Sequence, residues 1–287
     1  MTPRLLDRLF VYSQYLLPQH GLSRLIGYLA RCETPWLKNW LIKTFQRRFD
    51  ISLNEAMIEK PEGFPSFNAF FTRALKEGAR PIDTTANGIA SPADGIISQC
   101  GPIDGSRLLQ AKGTTFTVRE LVGGDATLAQ EFAGGNFATV YLSPKDYHRV
   151  HMPITGTLRK MIYVPGRLFS VNNATAAQVP NLFARNERAV CVFDTAHGPM
   201  AVVLVGAMVV AAIETVFAGQ ITPLAKKVQC ADYTQQPITL EKGAELGRFL
   251  LGSTVIMLFA EQQAAWLPTL NAGSAVRMGE LIGHSNH

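Results

Sequence analysis

The feature that most constrains this fold is an abrupt change of texture near residue 80. Before it, apolar residues recur at helical spacing. After it, short runs rich in β-branched and aromatic residues alternate with Gly, Pro, Asn and Asp. In the first part, Leu5, Leu6, Leu9 and Phe10 are followed by Tyr12, Leu16 and Leu17, with Pro18 as a stop. Leu22, Leu25, Ile26 and Leu29 form a second stripe, and Trp36, Leu37, Trp40, Leu41 and Phe45 a third. Thr34 is placed to cap that third helix and Pro35 suits its first position. Ser52 with Glu55 fits a capping box and predicts a further helix start, as does Ser66 ahead of Phe67, Phe70 and Phe71. Beyond residue 80, strands are expected at Phe137 to Leu142, Leu158 to Val164, Ala189 to Phe193, Ala201 to Val210 and Thr254 to Ala260. A short helix is expected near Thr117 to Leu121. The expected fold class is α+β: an N-terminal group of amphipathic helices over 1–79 and a mainly β catalytic domain over 80–287.

Charge follows the same division. Residues 1–50 carry eight basic and three acidic side chains, which accounts for the whole net charge of +5. The rest of the chain is balanced, so the β-rich part offers no basic face and no nucleic-acid partner is expected. The basic, aromatic helices admit two readings. They are an interfacial anchor, with aromatics in the headgroup layer and cations on anionic lipid, or a cap packed on the protein's own core. The longest apolar run, Met200 to Ile213, is too short to span a bilayer comfortably and reads as a buried strand pair. No secretory signal is visible at the N-terminus. The four cysteines (Cys32, Cys100, Cys191 and Cys230) lie far apart, which favours a reducing compartment over a disulfide framework.

Three short constellations carry possible chemistry. Ser91-Pro92-Ala93-Asp94-Gly95 is a turn signal whose aspartate is, alone, a weak candidate. Tyr147-His148-Arg149-Val150-His151 places two histidines three residues apart. On a helix they suggest part of a metal site, which needs a third ligand. On a strand they point to opposite faces and do different work. Leu251-Gly252-Ser253-Thr254 precedes an apolar strand and is ordinarily just a turn. It has one special possibility, because glycine leaves its carbonyl open to close approach and the adjacent serine hydroxyl can attack it. The resulting ester, after β-elimination, cleaves the chain and leaves dehydroalanine, which hydrolyses to a pyruvoyl group and ammonia. That route needs a base, an orienting carboxylate and oxyanion stabilisation.

Taken together, these segments resemble the bacterial phosphatidylserine decarboxylases. The stretches that carry the resemblance are Phe67 to Arg73, Ser91 to Ile96, Tyr141 to His151, Asn181 to Arg188 and Leu251 to Thr254, in the family's order. The resemblance implies autocatalytic cleavage between Gly252 and Ser253. Large and small chains then stay associated, and a pyruvoyl group derived from Ser253 is the cofactor, with no metal. It implies Asp94, His151 and Ser253 as the self-cleavage triad and His148 as the residue serving decarboxylation. The reaction implied is conversion of phosphatidylserine in the bilayer to phosphatidylethanolamine and CO₂ through a Schiff base, by a homodimer on the cytoplasmic face of the cell membrane. Two rival readings are a metal-dependent hydrolase using His148 and His151, and a non-enzymatic lipid-binding or carrier module.

Overall fold

The computed structural model describes residues 5–111, 113–208, 212–221, 226–250 and 253–286, and at Ser253 the backbone only. Helices α1 (Leu5–Leu16), α2 (Gln19–Ala30) and α3 (Pro35–Phe49) occupy the first fifty residues. Pro35 opens α3 as its sequence suggests, with Thr34 at the N-cap, though the Thr34 side chain makes no capping hydrogen bond. The short α4 (Phe67–Phe71) is capped by Ser66, whose Oγ accepts from the Ala69 N–H at 3.2 Å. The capping box expected at Ser52 starts no helix. Ser52 Oγ accepts from Asn54 N–H in a turn, Ala56 forms a β-bridge with Leu75, and the Glu55 carboxylate is drawn away to Arg80.

The helices α1 and α2 are inside out. They bury a small and polar side, with Val11, Gln14, Gln19, Ser23, Gly27 and Ala30 against the body. Their apolar stripe faces outward, and Leu16 is 89% exposed. Two amides hold the pair to the β-rich part: Ser170 N–H donates to Gln14 Oε1 at 2.8 Å and Leu168 N–H to Gln19 Oε1 at 2.9 Å. In α3, Ile42 enters a cluster with Phe64, Phe67, Phe70 and Phe71, whereas Trp36 and Trp40 are 72% and 60% exposed. Leaving so much contiguous apolar surface in water is costly, and such patches mark contact surfaces.

From residue 88 onward strands dominate. One large antiparallel sheet runs in the order β12 (Gln229–Asp232), β7 (Gly156–Val164), β8 (Arg188–Thr195), β9 (Gly198–Gly206), β15 (Ser253–Phe259), β5 (Asn136–Leu142), β2 (Gly95–Pro102) and β17 (Ala275–Val276). Strand β13 (Ile238–Leu240) also pairs with β7. The four-stranded sheet is β11 (Gly219–Gln220), β10 (Ile213–Thr215), β14 (Glu245–Phe249) and β6 (Arg149–His151). A third sheet joins β1 (Gly88–Ala90), β18 (Leu281–Ser285) and β16 (Ala264–Trp266), and β3 (Arg107–Ala111) with β4 (Thr114–Thr117) forms a hairpin.

Short helices α5 (Val118–Leu121), α6 (Ala126–Glu131), α7 (Asn173–Gln178) and α8 (Leu182–Arg185) cover one face of the large sheet. The helix expected near Thr117 is α5, closed by a reciprocal capping box between Thr117 and Glu120. Both faces of the large sheet are dry, which explains why its central strands read as near-continuous apolar runs. The expected α+β class, with N-terminal helices and a mainly β remainder, is the observed one. The run from Met200 lies mostly in β9, which runs between β8 and β15 and ends at Gly206; Ile213 opens β10 in the four-stranded sheet, so the expected strand pair does not form among the described residues.

Candidate active site

Antiparallel pairing brings four strand ends to one end of the large sheet. Strand β15 begins at Ser253, paired on one side with Gly206, the last residue of β9, and on the other with Leu142, the last of β5. Strand β2 begins beside them at Gly95. A Cβ at residue 95 would lie 2.3 Å from the Tyr141 carbonyl oxygen, so only glycine allows this approach. Asp94 immediately precedes β2. The loop after β5 carries Ser143 to His148, and β6 follows with His151. Leu251 and Gly252, half of the expected cleavage motif, lie outside the described residues.

Asp94 is buried and closely held. Its Oδ1 accepts from Met278 N–H at 2.8 Å and from Arg80 Nε at 2.9 Å, and its Oδ2 from Arg80 Nη2 at 2.6 Å. Arg80 in turn reaches Glu55 at 2.8 Å. The carboxylate bonds hold the Arg80 guanidinium above its ordinary range. Asp94 lies close enough for its charge to act on His151, but it makes no hydrogen bond to that ring. The local backbone links them: His151 N–H donates to Pro92 O at 2.8 Å.

His151 has a partner at each ring nitrogen. Nδ1 is 2.8 Å from the Gly243 carbonyl, and Nε2 is 3.1 Å from the Tyr147 hydroxyl. A carbonyl only accepts, so the proton sits on Nδ1 and the lone pair on Nε2 faces the Tyr147 hydroxyl. Burial lowers the His151 pKa, while the Gly243 carbonyl and the charges of Glu245 and Asp94 work in the opposite direction. Burial also pushes the Tyr147 phenol up to about 12, so it stays protonated and able to donate.

His148 is different in every respect. It is fully buried, its ring stacks on Phe71 with centroids 4.0 Å apart, and neither nitrogen makes a hydrogen bond of good geometry among the described residues. Burial, reinforced by the positive charge of Arg73, depresses its pKa to about 3; the Ser143 and Pro144 carbonyls only partly offset this. Arg73 is itself buried and clamps the loop by donating to the Lys145 carbonyl at 3.0 Å. The His148 carbonyl accepts from Phe249 N–H at 3.1 Å, which ties this loop to the segment entering β15. Strand β6 is extended, so the two histidines serve separate surroundings. No group of three His, Cys, Asp or Glu side chains able to hold a metal ion occurs among the described residues.

The structure thus gathers Asp94, His148, His151 and the Ser253 backbone at one end of the sheet. Sequence reasoning missed Arg80, Gly243 and the stacking role of Phe71. Nothing local marks Arg80 or Gly243, because each acts on a residue far away in the chain. The family model described as phosphatidylserine decarboxylase matches residues 67–284, and a second, described as PSD, matches residues 9–50. The chain belongs to the phosphatidylserine decarboxylase family. The phosphatidylserine decarboxylase proenzyme of Alcanivorax borkumensis is 62% identical over 283 residues, covering 98% of this chain and 97% of its own. Those of Pseudomonas putida and Ectopseudomonas mendocina are each 60% identical and also span almost the whole of both chains. Family membership extends to the decarboxylase class, and the relatives' description as proenzymes accords with a serine held at the start of a central strand.

Proposed function

We propose that this chain is a phosphatidylserine decarboxylase proenzyme that cuts itself between Gly252 and Ser253. The observation that carries the proposal is the register of β15. Position 253 is paired on both sides, with Gly206 and Leu142, at the sheet end where β2 begins after Asp94 and where β5 runs into the loop that carries His148 toward His151. After a cut at that point, both ladders still hold the small chain, so the new terminus stays in the site and the two chains remain associated.

In the uncut chain, His151 is the base. The Gly243 carbonyl fixes the tautomer and leaves the lone pair on Nε2, where the Tyr147 hydroxyl must give way before that nitrogen takes the serine proton. Asp94 favours the imidazolium by charge rather than by contact. Arg80 and the Met278 N–H hold the Asp94 carboxylate in place. The surroundings fit a pyruvoyl group at position 253: an apolar, closely packed sheet end, with His148 nitrogens that lack a well-aligned hydrogen bond among the described residues on the adjoining loop. Such a group supplies an electrophilic carbonyl that takes up the substrate amine and accepts the electrons released with CO₂.

His148 moves the proton. Neutral in its dry pocket, it becomes more basic when the anionic headgroup arrives and offsets Arg73, takes up one proton from solvent, and delivers it to the substrate carbon in place of the departing CO₂. Incubating the processed protein with phosphatidylserine and borohydride tests this reading. A lipid adduct should form on the small chain and abolish CO₂ release. Adduct on the large chain, or none, rules the reading out.

We further propose that α1–α3 dock on the cytoplasmic face of the cell membrane. The outward apolar stripes of α1 and α2, with Trp36 and Trp40 and the basic excess of residues 1–50, fit an anionic lipid interface. An open groove of about 320 Å³ between α2 and α3 is lined by apolar side chains with Arg48 beside them. No helix among the described residues is long and apolar enough to cross a membrane, which fits attachment at the surface.

A further inference from the structure

Glu187 is a buried carboxyl that the chemistry above leaves without a task. It lies just before β8, and its backbone carbonyl accepts from Gly206 N–H at 2.8 Å, continuing the β8–β9 register by one residue. Gly206 in turn pairs with Ser253. Glu187, Gly206, position 253 and Leu142 therefore form one row across the sheet, with the residue lacking a side chain between Glu187 and position 253. A Cβ at residue 206 would meet the Glu187 carbonyl oxygen at 3.2 Å and Leu168 at 3.6 Å, so the gap is narrow and would be closed by any larger side chain.

The Glu187 carboxylate accepts from the Tyr163 hydroxyl and forms no ion pair among the described residues. Its basic neighbours are on α2: His20, whose ring contacts the Gly166 carbonyl at 2.9 Å, and Arg24, which is exposed. A buried carboxyl that only pinned α2 would be expected to bond one of these side chains directly, and among the described residues it bonds neither. Burial raises its pKa, which makes it a better proton acceptor. An open pocket of about 430 Å³, lined by Met161, Tyr163, Ile221, Gln229, Cys230 and Ala231, lies beside the Tyr163 partner of Glu187.

We propose that Glu187 accepts the proton of the substrate's ammonium group. This rests on the pyruvoyl reading above and assigns a residue to its first step. A serine headgroup arrives as R–NH₃⁺, which has no lone pair. Transfer of one proton to the Glu187 carboxylate gives R–NH₂ and the neutral acid, with charge conserved. Only then does the nitrogen have the electron pair needed to attack a carbonyl. Tyr163, by donating to the carboxylate, holds it in position.

The test uses the processed protein and two amines. O-Methylhydroxylamine is already neutral at pH 7 and needs no base, whereas phosphatidylserine does. In Glu187→Gln, oxime formation on the small chain, read by intact mass, should stay within twofold of the unsubstituted protein. Borohydride-trapped lipid adduct should form about 10²- to 10⁴-fold more slowly, the usual cost of a lost general base. Raising the pH from 7 to 9 should restore much of that loss, because more amine is then free. Equal slowing of both reagents, or an unchanged lipid rate, overturns the assignment.

Should Glu187→Gln remain uncut, Tyr163→Phe serves instead. Loss of the phenol donor should move the lipid-trapping pH profile upward and leave oxime formation unchanged. An unmoved profile overturns the proposal. If the unsubstituted protein captures neither reagent, the pyruvoyl reading fails first and takes this inference with it.

Discussion

His148 and His151 stand three residues apart, yet their surroundings differ in kind. The His151 ring has a partner at each nitrogen, and although burial lowers its pKa, the Gly243 carbonyl and the charges of Glu245 and Asp94 work against that shift. His148 lies in a dry pocket under Phe71, with a buried arginine nearby and no hydrogen-bonded partner for either nitrogen among the described residues. The proposed base of the uncut protein needs a fixed tautomer, which the Gly243 carbonyl gives His151, and an Nε2 lone pair that the Tyr147 hydroxyl holds in reserve. Under the proposed mechanism, a group that waits for an anionic substrate is best kept neutral until the substrate comes, and burial keeps His148 so. The lesson is that an extended backbone can place two histidines of one short motif in two electrostatic environments.

The largest effect that separates them is on the cut. His151→Ala is expected to accumulate full-length precursor on a denaturing gel, with Asp94→Ala close behind. His148→Ala is expected to cut and then release CO₂ about 10²- to 10⁴-fold more slowly. The reverse pattern would exchange the two roles.

A second difference concerns acid stability. His148 has a folded-state pKa of about 3, well below its ordinary value of 6.5. Below pH 6.5 the unfolded chain binds a proton that the folded chain refuses. The stability associated with neutral His148 is therefore complete above pH 6.5 and is lost as pH falls toward 3. The loss approaches about 1.4 kcal/mol per pH unit within that window. In the uncut Ser253→Ala background, His148→Asn should flatten urea stability between pH 6 and 4 relative to the parent. Equal slopes would mean that the pocket admits water.

The smallest effect expected at either histidine comes from the membrane side. Replacing Trp36, Trp40 and Leu16 by serine should weaken binding to anionic vesicles severalfold while self-cleavage changes by less than twofold, because these side chains are exposed. Unchanged vesicle binding would remove the docking role. Slower cleavage would show that the helices act on the histidines through Phe71.

The strands were largely legible because β-branched and aromatic runs bounded by Gly and Asn have few other uses, and α3 and α4 were legible from Pro35 and Ser66. The orientation of α1 and α2 was not. An apolar stripe shows that a helix has two sides, but not which side meets the body, and here Gln14 and Gln19 decide it through distant backbone amides. The false helix start at Ser52 has a similar cause, since Glu55 answers to Arg80. At the site, the motifs pointed to Asp94, His148, His151 and Ser253, but not to their partners. Met278 lies 184 residues from Asp94, and Gly243 lies 92 from His151. Contacts closed over such separations leave no local pattern.

The claim on which the rest depends is that Ser253 becomes the blocked end of a second chain. Intact-mass measurement of the folded, purified protein tests it directly. The expected result is a large chain of residues 1–252 and a small chain of residues 253–287, the latter lighter by one ammonia than a serine-ended peptide. Ser253→Ala should give one uncut chain. A single full-length mass in an active, unsubstituted preparation, or a small chain with an ordinary serine terminus, would contradict the account.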